Sequence, residues 1–196
     1  KMNMVLKLGD LVFVHAGLVP ELWKLLGHSH AVGLEWLSDL VNKTDFALDS
    51  GVLAMDDHPH GPAWTRMGMG HSAWESQRER VMERYPWTAA EKENIPVVQG
   101  RCSAVQQALL KAQGTRMIIG HNPNYEGDAV IKCGGRLLLT DTYMSIGYTK
   151  HRTVSTRNLL ALETADAPGA EIMQVYAGRT GGDRCRPVGP IVQLEN

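Results

Sequence analysis

Two histidines each follow directly after a short apolar segment of the chain. His15 follows the segment 11–14 and His121 follows the segment 117–120. Polar residues at the ends of strands in α/β folds commonly form binding and catalytic sites, because the strand fixes their position. An imidazole nitrogen is a suitable ligand for zinc, manganese or iron. The pattern indicates two metal ligands, and the alternative is that both histidines merely end strands.

The matching context of the two histidines predicts that they face each other across one cleft. Ligands of a shared cation lie roughly 2.1 Å from it, so the ring nitrogens of His15 and His121 should lie within roughly 5 Å of each other.

Other polar groups carry weaker signals. Arg66 lies in a loop that contains glycine and proline, where a planar guanidinium can clamp a phosphate, although an exposed surface arginine is the alternative. The cluster 56–60 contains two aspartates and two histidines, but Pro59 limits the convergence of the histidines and no apolar strand supports them, so we interpret it as a solvated loop. Cys133 precedes two glycines in a turn and lacks the partner thiols of a structural zinc site.

Composition excludes several classes of protein. The 196 residues contain 20 Lys plus Arg and 21 Asp plus Glu, for a net charge of −1, which does not favour nucleic-acid binding. No apolar run reaches the roughly 18–20 residues of a membrane span. The 3 cysteines contain no CxxC pair, so we expect no disulfide scaffold and an intracellular, reducing compartment, either cytoplasm or mitochondrion. The chain opens on Lys1, which suggests a processed or trimmed chain.

The elements that would position these residues alternate between helix and strand, which predicts an α/β fold. We expect a hairpin at residues 5–14, a helix that Ser103 caps and Gly114 ends, and an irregular segment over 44–70. Further helices are predicted at 20–26, 31–43 and 72–84, and strands at 116–119, 137–139, 158–164 and 171–177. Residues 178–196 have no clear period and are interpreted as a tail or docking arm.

Four motifs, taken in order, resemble one family. They are 11–20 (LVFVHAGLVP), 61–66 (GPAWTR), 118–123 (IIGHNP, after a helix that opens Ser-Ala-Val) and 139–148 (LTDTYMSIGY). Their order and spacing are similar to those of the calcineurin-like metallophosphoesterases of the PPP phosphoprotein phosphatase superfamily. The resemblance is closest to the bacterial-type, Shewanella-like branch, and it covers about residues 4–177.

The resemblance implies a four-layer αββα sandwich and two divalent metal ions (Mn, Fe or Zn) that activate the hydroxide for phosphate-ester hydrolysis. His15 and His121 would be ligands of the second metal. Arg66 would be catalytic and would hold a phosphate oxygen, while Asn122 and Tyr148 would line the substrate pocket.

The chain also departs from the family. The motifs GDxHG, GDxxDRG and GNHE, which supply the other metal ligands, are absent. Residues 1–177 therefore resemble the C-terminal portion of the domain, mainly its second sheet and outer helices. Tyr143 and Asn122 stand where the family usually has glycine and threonine.

Two functions follow as alternatives. The first is a metal-dependent, serine/threonine-type phosphatase that acts on phosphoprotein or a small phosphate ester. The second is an inactive, phosphatase-like subunit of a larger assembly. In either case we expect another polypeptide, or a missing N-terminal half, to cover the sheet. Alone, the chain would keep two ligands for one metal, which is too few for hydrolysis. A chain that binds no metal at all is the other expectation.

Overall fold

The computed structural model describes residues 5–25, 61–62, 65, 67–68, 101–122, 124, 127–142, 159–165, 167, 169–177 and 179–193. The helices predicted at 31–43 and 72–84, the cluster 56–60 and most of the irregular segment 44–70 lie outside these residues.

A five-stranded mixed sheet forms the centre of the fold. It begins with the predicted hairpin of β1 (Val5–Leu8) and β2 (Leu11–Val14), which pair antiparallel. Gly9 occupies the turn at φ +58, a left-handed conformation that glycine adopts without steric cost. The hairpin prediction is therefore confirmed.

The middle of this sheet is parallel. β3 (Arg116–Ile119) pairs with β2 on one side and with β5 (Leu137–Leu139) on the other. The edge strand β4 (Val130–Lys132) pairs antiparallel with β5, which gives the order β1-β2-β3-β5-β4. Every residue of β3 and β5 is buried, as expected for parallel strands that are covered on both faces.

Two described helices cover one face of this sheet. α1 (Pro20–Leu25) begins at a proline, and α2 (Cys102–Ala112) buries a stripe of small and branched residues. Ser103 is not the cap that we predicted. The N-cap is Arg101, and it makes no side-chain cap hydrogen bond. Neither α1 nor α2 is long and apolar enough to cross a membrane, and no other helix of the described segments is.

A second sheet packs against the opposite face. Its strands β6 (Leu159–Thr164), β7 (Ile172–Ala177) and β8 (Cys185–Pro187) are antiparallel in that order. Buried side chains of both sheets form a shared core, namely Leu11, Ile118, Leu138, Ile172 and Val188. The predicted α/β class is confirmed as three described layers, helices, sheet and sheet. The fourth layer of an αββα sandwich remains a prediction.

The segment predicted as a tail, 178–196, contributes to this second sheet. β8 extends the sheet and Val188 is 6% exposed in the shared core. Three residues of strand are too few to produce a recognisable period, which is why the sequence did not reveal it. The predicted boundary between a domain over residues 1–177 and a separate segment 178–196 remains a prediction.

A disulfide joins Cys102 to Cys133, with a Cα–Cα distance of 5.1 Å. It connects the first turn of α2 to the short 3₁₀ turn Cys133–Gly135 that separates β4 from β5. The sequence analysis expected no disulfide scaffold and did not predict this single bond, whereas Cys185 is free and exposed. The compartment remains a prediction.

Loss of this disulfide should destabilise the fold. The bond closes a loop with a sequence separation of 31 residues, and restricting such a loop in the unfolded chain is worth about 2–4 kcal/mol. We expect the Cys102→Ser/Cys133→Ser double variant to lose about that much free energy of unfolding in urea titrations. Cys185→Ser is the matched control and should unfold like the wild type. Equal stability of all three proteins would contradict the bond.

Candidate functional site

The two histidines meet at the edge where β2 and β3 end. These strands are parallel, and their last residues, Val14 and Ile119, are register partners. The Nε2 atom of His15 lies 3.2 Å from the Nδ1 atom of His121, and the ring centroids are 4.9 Å apart. The predicted proximity of the two rings is confirmed.

The backbone at His121 is in a left-handed conformation, with φ at +57. The N–H of Asn122 donates to the carbonyl of Gly120 across a distance of 2.6 Å, so the chain turns sharply at the histidine. A residue other than glycine rarely adopts this conformation, and such strained residues concentrate at functional sites. This turn therefore sets the position of the His121 ring that contacts His15.

A segment distant in sequence is bound to both histidine loops. The N–H of Ala16 donates to the carbonyl of Pro62 at 2.8 Å, and the Asn122 side-chain amide donates to the carbonyl of Met67 at 2.7 Å. Each histidine loop thus supplies one hydrogen bond to the segment 61–68. These two bonds hold Pro62 and Met67 against the loops that carry the histidines.

Gly17 allows this close approach. A Cβ atom at residue 17 would lie 2.6 Å from the Cβ of Met67 and 3.1 Å from the Cγ2 of Thr65. The φ of Gly17 is +138, which side chains also disfavour. The glycine that follows His15-Ala16 is therefore required by packing.

The end of β5 lies next to the end of β3. Thr140 donates from both its N–H and its hydroxyl to the carbonyl of Ile119, at 2.7 and 2.9 Å. The N–H of Asn124 donates to the backbone carbonyl of Asp141 at 2.7 Å. These bonds connect the loop after His121 to the loop after β5, so the ends of three parallel strands form one edge.

The distance between the two histidine nitrogens is that of a hydrogen bond between the rings, and it also equals the spacing of two ligands on one divalent cation. Two nitrogens that each lie about 2.1 Å from a metal are roughly 3.0–3.4 Å apart in octahedral or tetrahedral coordination, and the pair shows 3.2 Å. Within the described residues, no group of three or more His, Cys, Asp and Glu side chains gathers. The described part of the site therefore offers two neutral ligands, and metal binding itself remains a prediction.

The other predicted site residues have different outcomes. Asn122 is 1% exposed, and its Oδ1 is buried without a hydrogen-bond partner. Its amide positions the segment 61–68, and its contact with substrate remains a prediction. Arg66 and Tyr148 lie outside the described residues, as does Tyr143. The sequence neighbours of Arg66, Thr65 and Met67, are fully buried and pack at Gly17.

Comparison with known proteins finds partial similarity to solved structures at low identity. No family model and no curated protein matches the chain. The crystal structure of a cold-active protein-tyrosine phosphatase from a psychrophilic Shewanella species is 15% identical, with a TM-score of 0.48. Another structure of a cold-active protein tyrosine phosphatase is 14% identical, also with a TM-score of 0.48. A point mutant of a cold-active protein tyrosine phosphatase is 14% identical to this chain, with a TM-score of 0.47.

The chain spans less than half of these structures. The match covers 95% of this chain and 43% of the Shewanella phosphatase. For the second structure, it covers 89% of this chain and 39% of that protein. Such identities and TM-scores assign neither the fold nor the activity of the chain.

The predicted membership of the calcineurin-like metallophosphoesterases is corrected by these findings. No family model matches, and the solved structures carry the name of protein-tyrosine phosphatases rather than of serine/threonine-type phosphoprotein phosphatases. The family assignment and the serine/threonine specificity are therefore not retained.

Gly17→Ala should separate the segment 61–68 from the histidine loops. The added methyl group overlaps Met67 and strains the backbone, which together cost about 2–5 kcal/mol. We expect a loss of that size in the free energy of unfolding. Gly182→Ala is the matched control, since nothing lies within 4 Å of its Cβ position. Equal stabilities of the two variants would show that the segment does not pack at Gly17.

Proposed function

We propose that this chain is the part of a phosphatase that carries half of its metal site, and that the protein hydrolyses phosphate monoesters on proteins. The observation that supports the proposal is the 3.2 Å contact between His15 and His121 at the carboxyl ends of two adjacent parallel strands. In α/β folds, ligands bind just outside the carboxyl ends of the parallel strands, so side chains at this edge can contact a ligand.

The histidine rings would hold a divalent cation, with manganese, iron or zinc as the candidates. A divalent cation supplies Lewis acidity toward a phosphoryl oxygen. Arg66 would bind a second phosphate oxygen through its guanidinium, because the residues on either side of it pack against the loops that carry the histidines. Asn122 would keep that segment in place, and Tyr148 would contact the substrate.

Phosphotyrosine is the first substrate that we would test, since the structures with partial similarity are named protein-tyrosine phosphatases. The cysteines do not favour a thiolate mechanism. Cys102 and Cys133 form a disulfide, and Cys185 lies in the outer strand β8 of the second sheet. The proposal therefore relies on the histidines and not on a cysteine nucleophile.

The remaining ligands would come from polypeptide beyond the residues 1–196. Neutral imidazoles carry no negative charge, so two of them would not offset the charge of two divalent cations. Two-metal sites also need ligands that bridge both ions. We propose that further sequence, on the same or a separate chain, supplies those ligands and completes a four-layer αββα sandwich.

The chain alone should show no phosphatase activity. We expect no turnover of p-nitrophenyl phosphate or of a phosphotyrosine peptide with manganese or zinc, because under the proposal this chain supplies only part of the metal ligands. The measurement is an assay of the purified chain against its His121→Ala variant. Turnover that requires both the metal and His121 would show that the residues 1–196 hold a complete site.

The protein together with its native upstream sequence should be active, and His15→Ala or His121→Ala should reduce kcat/KM at least 100-fold. Arg184→Ala is the control, since it removes an exposed side chain next to β8 in the second sheet and should leave the rate unchanged. A folded, metal-supplied protein without turnover would contradict the proposal and would favour an inactive, phosphatase-like subunit.

A further inference from the structure

A cavity of about 390 Å³ lies at the amino ends of β2 and β3, between the two sheets. This is the edge opposite the histidine pair, since Leu11 and Arg116 are the first residues of those strands. Its volume is in the range of small-molecule sites. The side chains that define its chemistry are Asp10, Arg116, Glu171, Ile172 and Ile191.

Arg116 lines this cavity and is buried, with 6% of its surface exposed. Its Nη2 donates to the carbonyl of Gly189 at 3.0 Å, whereas its Nη1 is buried and makes no hydrogen bond. A buried guanidinium that lacks acceptors loses hydration without replacement, which costs a protein several kcal/mol.

No carboxylate compensates this charge directly. Arg116 forms no ion pair within the described parts of the chain. The carboxylate of Asp10 accepts a hydrogen bond from the Thr115 hydroxyl at 2.6 Å and acts on the arginine only through its field. Burial lowers the pKa of Arg116, and the charge of Asp10 partly offsets that effect.

The wall beside Arg116 is held in place by hydrogen bonds. The N–H of Val192 donates to the carbonyl of Gly134 at 2.9 Å, and Arg136 donates to the carbonyl of Val192 at 2.7 Å. These bonds attach the segment 189–192 to the turn between β4 and β5. The segment 189–192 is therefore fixed by hydrogen bonds, and its residues Gly189, Pro190 and Ile191 line the cavity.

We propose that this cavity binds a small organic monoanion whose carboxylate accepts hydrogen bonds from Arg116. Nη1 has an unused donor, and a carboxylate matches a guanidinium in charge and in geometry. The side chains of Leu11, Ile172 and Ile191 line the same cavity and suit an apolar body. Asp10 and Glu171 disfavour a second negative charge, so a carboxylate is preferred over the phosphate dianion.

This site is separate from the proposed phosphatase chemistry. The strands β2 and β3 run between the two edges, and the five residue steps from Arg116 to His121 correspond to roughly 16 Å. The inference therefore does not depend on the proposed function, and failure of either leaves the other in place.

Calorimetric titration of the purified chain would test the proposal, with phenylacetate as the probe and phenylacetamide as its uncharged counterpart. We expect phenylacetate to bind with a Kd in the millimolar range or below, and phenylacetamide and inorganic phosphate to bind at least tenfold more weakly. Arg116→Gln should weaken phenylacetate binding at least tenfold. Arg184→Gln is the matched control, because Arg184 is exposed, and it should bind like the wild type.

A second variant addresses the case in which Arg116→Gln fails to fold. Ala170 lines the cavity and is half-buried, so Ala170→Leu should fill the space and abolish binding while Arg116 remains. The proposal is overturned if no carboxylate binds at 10 mM, if phenylacetamide binds equally well, or if Ala170→Leu leaves the affinity unchanged. The proposal is also overturned if phenylacetate no longer binds when the native upstream sequence is present. In that case a carboxylate of the protein itself would be the partner of Arg116.

Discussion

The parallel pairing of β2 with β3 is the constraint on which the rest of the structure depends. Its register makes Val14 and Ile119 partners, so the residues that follow the two strands emerge at one edge of the sheet. A shift of one residue would turn every side chain of a strand to the other face. The burial of Val12 and Met117 on one face and Leu11 and Ile118 on the other holds the register in place.

Packing around that edge converts two strand ends into a site. The left-handed turn at His121 and the close approach at Gly17 are both unfavourable for an isolated chain. They persist because buried hydrogen bonds from Ala16 and Asn122 attach the segment 61–68 to both loops. The disulfide between Cys102 and Cys133 connects the first turn of α2 to the turn between β4 and β5. Rigid surroundings of this kind suit a site that must hold two ligands at a fixed distance.

Local patterns explain which parts of this account the sequence could predict. The hairpin, the buried strand before His121 and the antiparallel pair β6–β7 have turn residues and apolar runs that are visible in the sequence. The histidine contact could be predicted because both rings follow strands of the same kind. The disulfide could not, since its cysteines are 31 residues apart and the bond depends on tertiary packing. The strands β4 and β8, with three residues each, were too short to recognise. The family assignment was wrong because short motifs in one sequence carried it.

The most direct test of the central claim is a zinc titration of the ¹⁵N-histidine-labelled chain, followed by the imidazole nitrogen resonances in NMR spectra. The claim is that His15 and His121 act as one pair, through the two nitrogens that lie 3.2 Å apart. It predicts that the Nε2 signal of His15 and the Nδ1 signal of His121 shift together, with the same dependence on zinc concentration. Separate responses of the two rings, at different zinc concentrations or at only one of them, would contradict it.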